Sequence, residues 1–158
     1  MLILMYLVAI VLANLSVAAF GPGVTVINAF LFIGLDLTAR DALHERWQTH
    51  LWRNMGLLIL TGSVLSAVLN WNALPIAVAS CGAFGLAAVT DTFIYQRLHD
   101  HPKLVKMNGS NVISAAVDSI TFPALAFGFP LLLPVMAGQF VAKVGGGFVW
   151  SLLLPSAE

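Results

Sequence analysis

Apolar residues dominate positions 2–20, 24–41, 55–71, 74–97, 110–129 and 132–154, and short polar or turn-forming breaks separate these runs. A helix needs roughly 20 apolar residues to cross the hydrocarbon layer of a bilayer, so the pattern predicts six membrane-spanning helices that take up almost the whole chain. The breaks carry turn chemistry: Gly21-Pro22-Gly23 after the first run, Asn70-Trp71-Asn72 with Pro75 after the third, and Gly128-Phe129-Pro130 with Pro134 after the fifth. The expected architecture is an all-α integral membrane protein built as one six-helix transmembrane domain over residues 1–158.

Composition agrees with that pattern. Of the 158 residues, 59% are hydrophobic and 9% charged, against about 25% charged in an ordinary soluble domain, and a water-soluble surface cannot be assembled from so few charges. The first run contains small residues around Ser16, but it has no basic n-region and leads directly into further spans, so it is expected to be a retained span and not a cleaved leader. Cys81 is the one cysteine, which leaves no disulfide framework. A net charge of zero gives no general grip on nucleic acid.

The placement of the charges says more than their sum. Arg40, Arg46 and Arg53 follow the second run, and Arg97, Lys103 and Lys106 follow the fourth, while the other three connections carry neither lysine nor arginine. By the positive-inside rule both basic loops and both termini are expected in the cytoplasm, which makes the chain a multi-pass protein of the cytoplasmic (inner) membrane. Within the first basic loop, Leu43, Trp47, Leu51 and Met55 recur at helical spacing opposite Arg46, His50 and Arg53, which predicts an interfacial helical segment at about 42–54. His99 and His101 stand one residue apart in the second basic loop with no third ligand nearby, so neither a metal site nor a cofactor is expected.

Away from their ends, the predicted spans hold four charged residues: Asp36, Asp91, Asp118 and Lys143. Each costs about 2.5–3.5 kcal/mol near the centre of a helix facing lipid, so the set must face one another, water or a ligand. At about 1.5 Å per residue, Asp118 lies about 12 Å above the basic end of its helix, Asp36 about 18 Å below the opposite end of its own, and Lys143 about 14 Å down the last. Two carboxylates and an ammonium are thereby expected at one level near the midplane, with Asp91 closer to the cytoplasmic mouth. Asn111 stands two helical turns before Asp118 on the same face, Gln139 one turn before Lys143, and Asn14 and Asn28 lie in the first two spans. Phe30, Phe32, Phe84, Phe122 and Phe140 could wall a pocket for a flat ring. For each residue alone a structural role is as good a reading: an Asp–Lys lock, an Asn as interhelical glue worth about half a kcal/mol, a Phe facing lipid. For a group of opposite charges at one depth, a substrate or ion pathway is the better one.

With these residues assembled, the sequence resembles the VUT family, the queuosine precursor transporters. The resemblance runs in order along nearly the whole chain: Asn14 in the first span, Asp36-Leu37-Thr38-Ala39-Arg40 matching D-L-T-x-R at the end of the second, Asp91 closing the fourth, Asp118-Ser119 with Phe122 in the fifth, and Lys143 after Gln139-Phe140 in the sixth. It implies uptake of 7-deazaguanine bases, precursors of a modified tRNA nucleoside, by alternating access. A carboxylate of Asp118 or Asp36 would accept the adjacent N–H donors of a guanine-like edge, while Lys143 and Asn111 would meet the carbonyl and ring nitrogen. Gln139, Asn14, Asn28, Phe122 and Phe30 complete the candidate site, and Asp91 and Arg40 are candidate pathway or gating residues.

Two other classes stay open on the sequence. A substrate-binding subunit of an energy-coupling-factor importer also has about six spans, and Ala9-x-x-x-Ala13 could be its docking surface. An intramembrane enzyme is the other, although there is no G-x-S-x-G element or metal-spacing motif. The small residues Gly138, Ala142 and Gly145-Gly146-Gly147 suit close approach of the last helix either to its own chain or to a second copy in a homodimer.

Overall fold

The computed structural model describes residues 2–47 and 49–153, excluding the side chains at 41, 44, 45, 103 and 107. Among the described residues the chain is helical with no strand. α1 spans Leu2–Phe20 and ends at Gly21, whose positive φ turns the chain. A short 3₁₀ turn, Pro22–Val24, opens a second rod made of α2 (Thr25–Asn28), a π turn (Ala29–Ile33) and α3 (Gly34–Arg46). α4 (Leu51–Leu69) returns, and α5 (Leu74–Arg97), α6 (Lys103–Phe127) and α7 (Leu133–Leu153) complete the bundle.

Five segments are long and apolar enough to cross a bilayer: Leu2–Phe20, Pro22–Arg40, Leu51–Leu69, Trp71–Arg97 and Leu104–Phe127. α7, at 21 residues, has the length of a sixth span, but Lys143, Gln139 and its glycines dilute its hydropathy. Burial is inverted relative to a soluble protein. Large apolar side chains such as Val68, Trp71, Ile120, Phe129 and Val141 stand on the outside, while Asn14, Asn28, Asp36, Arg40, Asp91, Asn111, Asp118, Gln139 and Lys143 are all buried. Water would not tolerate so much exposed apolar surface, whereas lipid requires it. The chain is an all-α, multi-pass membrane protein.

Helix ends differ from the hydropathy pattern where a helix outruns the membrane. α6 begins at Lys103, behind Pro102, and not near position 110. Of residues 42–54, expected to form an interfacial segment, the described ones are divided between the last turn of α3, turn residues at Trp47, Thr49 and His50, and the first turn of α4. Positions 48 and 154, the latter at the end of the expected last span, lie outside the described residues. Arg40, counted above with the basic loop, is buried inside α3, because it meets a carboxylate there.

Within the bundle α5 and α6 form the most extensive pair, α1 packs on α4, and α7 lies against the second rod and α6. The closest approach is made by glycines. A Cβ on Gly34 would come within 2.6 Å of the Gly146 carbonyl carbon, and one on Gly146 would strike the Phe30 carbonyl oxygen. The small-residue face of α7 is thus used within the chain, against the π turn and the start of α3. Ala9 and Ala13 are likewise covered by the chain's own helices.

Candidate functional site

Lys143 is the centre of the polar interior. Its Nζ lies 2.6 Å from Asp118 Oδ2 and donates to Gln139 Oε1 at 3.0 Å. Gln139 precedes Lys143 by one turn of α7, so both side chains leave the same face, and that face looks onto α6, where Asp118 stands. Both charged side chains are almost fully shielded, at 2% and 5% exposure. The pair satisfies one oxygen of Asp118. Its Oδ1 has no hydrogen-bond partner, and neither has Gln139 Nε2.

These residues line a cavity that also touches Asn14 and Asn28 and is walled by Phe84 and Phe122, with Thr25 and Ser80 adding hydroxyls. The cavity measures about 30 Å³; a water needs about 10–15 Å³ on such a measure, so it holds one or two waters and no bicyclic ring in this conformation. The amide donors of Asn14 and Asn28 serve the scaffold. Asn14 Nδ2 donates to Ser66 Oγ at 3.1 Å, tying α1 to α4, and Asn28 Nδ2 donates to Ser16 Oγ at 2.7 Å and the Ala13 carbonyl at 3.2 Å. Phe122 is held edge-on by Phe127, with ring centroids 6.0 Å apart and planes at 81°.

A larger cavity of about 490 Å³ lies on the other side of Lys143, between α6 and α7, reaching Asn108, Asn111 and Phe148. The smaller cavity takes its residues from α1, α2, α5, α6 and α7, on the side of the bundle nearer the turns at Gly21, Asn70 and Gly128. The larger one extends toward the end that carries the basic loops. Lys143 lines both, and Asp118, its ion-pair partner, lines the smaller one.

The remaining candidates form a second cluster outside both cavities. Arg40 Nε lies 3.6 Å from Asp91 Oδ2, and Arg40 Nη2 donates to Ser114 Oγ at 3.1 Å, so one guanidinium joins α3 to α5 and to α6. Asp36 stands one turn before Arg40 on α3 and beside Tyr6 of α1, with Asp118 and Lys143 within electrostatic reach. The Tyr6 hydroxyl is the hydrogen-bonding group beside Asp36, although the two do not close a well-formed bond.

The structure therefore brings Asn14, Asn28, Asp118, Phe122, Gln139 and Lys143 to one cavity and puts Asn111 on the next. It places Asp36, Arg40 and Asp91 together elsewhere. Phe30 joins none of these groups: its side chain is 40% exposed and its backbone packs on Gly146. Ser80 and Tyr6 were not among the candidates, and Phe84 was expected only as one of five aromatics that could wall a pocket. Ser80 and Phe84 share one face of α5 at a spacing of four, and a tyrosine in an otherwise apolar first span needs a polar neighbour for its hydroxyl. Those two signals could have found them. Among the described residues no group of three histidine, cysteine or acidic side chains could hold a metal ion.

The sequence model of a family described as "Putative vitamin uptake transporter" matches residues 1–154. No curated protein and no solved structure matches the chain.

Proposed function

We propose, from the premise that this chain belongs to the vitamin uptake transporter family, that it imports a 7-deazaguanine base, a queuosine precursor, across the cytoplasmic membrane by alternating access. The observation that carries this reading is the pair of unsatisfied atoms at the central cavity, the acceptor Asp118 Oδ1 and the donor Gln139 Nε2. Buried polar atoms without partners are unfavourable, and a ligand with matching groups relieves both at once. A guanine-like edge offers N–H donors for the carboxylate and a carbonyl for the amide. Adenine presents the reverse order and would leave these groups unpaired in a dry site, the kind of mismatch that gives strong discrimination. Phe84 and Phe122 supply faces for the ring.

The cavity is too small for the base while empty, so in this reading the conformation is an occluded one and the helices part to admit cargo. Lys143 lines both this cavity and the larger one toward the basic loops, so in this reading its bridge to Asp118 is the barrier between them. Exchanging that bridge for contacts with the base opens the way from one to the other.

Ala9 and Ala13, the docking surface that an energy-coupling-factor subunit would need, are 2% and 6% exposed and covered by the chain's own helices, which favours a transporter that works alone. The deciding experiment is uptake of labelled 7-deazaguanine bases by cells unable to synthesise them. Wild type should restore uptake, and Asp118→Asn and Gln139→Ala should abolish or strongly reduce it. Normal uptake in both variants at equal expression would end this assignment.

A further inference from the structure

Among the described residues, the buried interior holds three carboxylates, Asp36, Asp91 and Asp118, and two cations, Arg40 and Lys143. Asp118 has Lys143 at 2.6 Å and Asp91 has Arg40 at 3.6 Å. Among the described residues Asp36 forms no ion pair; its one hydrogen-bonding neighbour is the neutral Tyr6 hydroxyl, which does not close a well-formed bond, and the residue is 1% exposed. A lone carboxylate out of water is unstable as an anion, and it takes up either a cation or a proton. A metal cation in such a place needs several ligands, and among the described residues no group of three histidine, cysteine or acidic side chains includes Asp36. A proton needs one oxygen.

The groups facing Asp36 are Tyr6 from α1, Arg40 one turn along α3, Asp118 from α6 and Lys143 from α7, with Asp91 of α5 reached through Arg40. Arg40 and Asp36 share a helix face at a spacing of four. The guanidinium that holds α3 to α5 through Asp91 can therefore be drawn toward Asp36 whenever Asp36 is an anion. Protonation forms an O–H bond on Asp36, with the proton taken from water, and balances the interior at two carboxylates against two cations. Asp36 then no longer competes with Asp91 for Arg40. Loss of the proton restores the competing anion and loosens the α3–α5 tie.

We infer that Asp36 is the site at which a proton binds and leaves in each transport cycle, so that import is coupled to proton movement through the Asp36–Arg40–Asp91 group. This rests on the transport reading above, but concerns a cluster outside the proposed binding cavity.

The test uses the purified full chain in proteoliposomes with labelled 7-deazaguanine. Wild type should accumulate it against its gradient when the outside is made acidic, and Asp36→Asn should lose accumulation while keeping substrate exchange at zero gradient. Asp36→Glu, which retains a titratable group, should keep accumulation. Infrared difference spectra of the same protein in detergent should show a carboxylic-acid C=O band in wild type that Asp36→Asn removes. Accumulation by wild type that ignores the proton gradient or follows a sodium gradient, equal accumulation by Asp36→Asn, or a wild-type spectrum without that band would overturn the inference. A wild-type chain that shows the Asp36 band but neither binds nor exchanges any deazaguanine would sink the substrate assignment and leave the proton site standing.

Discussion

Lys143 and Asp118 meet across 2.6 Å in the buried interior, where Lys143 lines both cavities, with Gln139 taking a second hydrogen of the ammonium at 3.0 Å. Each charge is tolerated in the membrane interior only because the other is there. Removing one partner leaves an uncompensated buried charge, at a cost of about 3–5 kcal/mol, whereas replacing both by apolar side chains of similar volume is nearly neutral. Lys143→Met and Asp118→Leu are therefore each expected to lower the thermal stability of the purified protein sharply. The double variant should recover most of the loss while staying inactive in uptake. A double-mutant cycle read by thermal unfolding in detergent checks this, and additive losses would mean that the bridge is not what holds the two residues.

A second stability prediction concerns backbone contact. Alanine at Gly146 would drive its methyl into the Phe30 carbonyl, and alanine at Gly34 would press on the Gly146 backbone at 2.6 Å. No side chain can rotate away to make room, so each should destabilise by at least the about 1–3 kcal/mol typical of overpacking. Gly145→Ala is the control. Its methyl would meet nothing closer than a Phe30 ring carbon at 3.9 Å, and stability should stay within about half a kcal/mol of wild type. Yield and unfolding temperature of the three variants side by side give the answer.

Hydropathy located the helices because it measures what lies in hydrocarbon, and α5 begins and ends where its apolar run does. It does not say where a helix starts outside the membrane, which is why α6 extends back to Lys103 through polar residues. Nor does it report hydrogen-bond register. The π turn at Ala29–Ile33 has no compositional mark, and it lies between the Gly21 turn and Asp36, where a widened turn alters how the following residues are presented. Counting depth put Asp36 level with Asp118, and the two are within electrostatic reach, but depth carries no azimuth. Asp36 faces Tyr6 and Arg40, and only Asp118 reaches the cavity. Arg40 read as a loop residue because a sequence shows a charge near a helix end without showing the buried Asp91 that draws it inward.

Aromatic stacking gives a prediction on affinity. Phe122 packs against Phe127 in a T-shaped pair, and it stands with Phe84 in the wall of the cavity. Stacking a base on an aromatic side chain is worth about 1–3 kcal/mol, so losing it weakens binding roughly tenfold to a hundredfold. Phe122→Leu, which keeps apolar volume, should show that loss in titrations with a deazaguanine, while Phe127→Leu should show a smaller one. Unchanged affinity in both Phe122→Leu and Phe84→Leu would mean that the base is held by its edge alone.

The direction of transport depends on which face of the membrane the basic loops occupy. Arg40 is consumed by Asp91 inside the bundle, and of the basic residues around those loops Arg46, Arg53 and Arg97 are exposed at the same end of the bundle, where Arg97 also rests over the Phe93 ring at 5.2 Å. The turns at 21–24, 70–73 and 128–132 carry no lysine or arginine. Lysine and arginine near short loops stay on the cytoplasmic side during insertion, so the larger cavity should open inward and the smaller one lie toward the outside. In a Cys81→Ser background, a cysteine at Asn72 should react with a membrane-impermeant maleimide in intact cells, and one at Asp100 only after permeabilisation. The opposite pattern would invert the bundle, and the larger cavity would then be the entrance and not the exit.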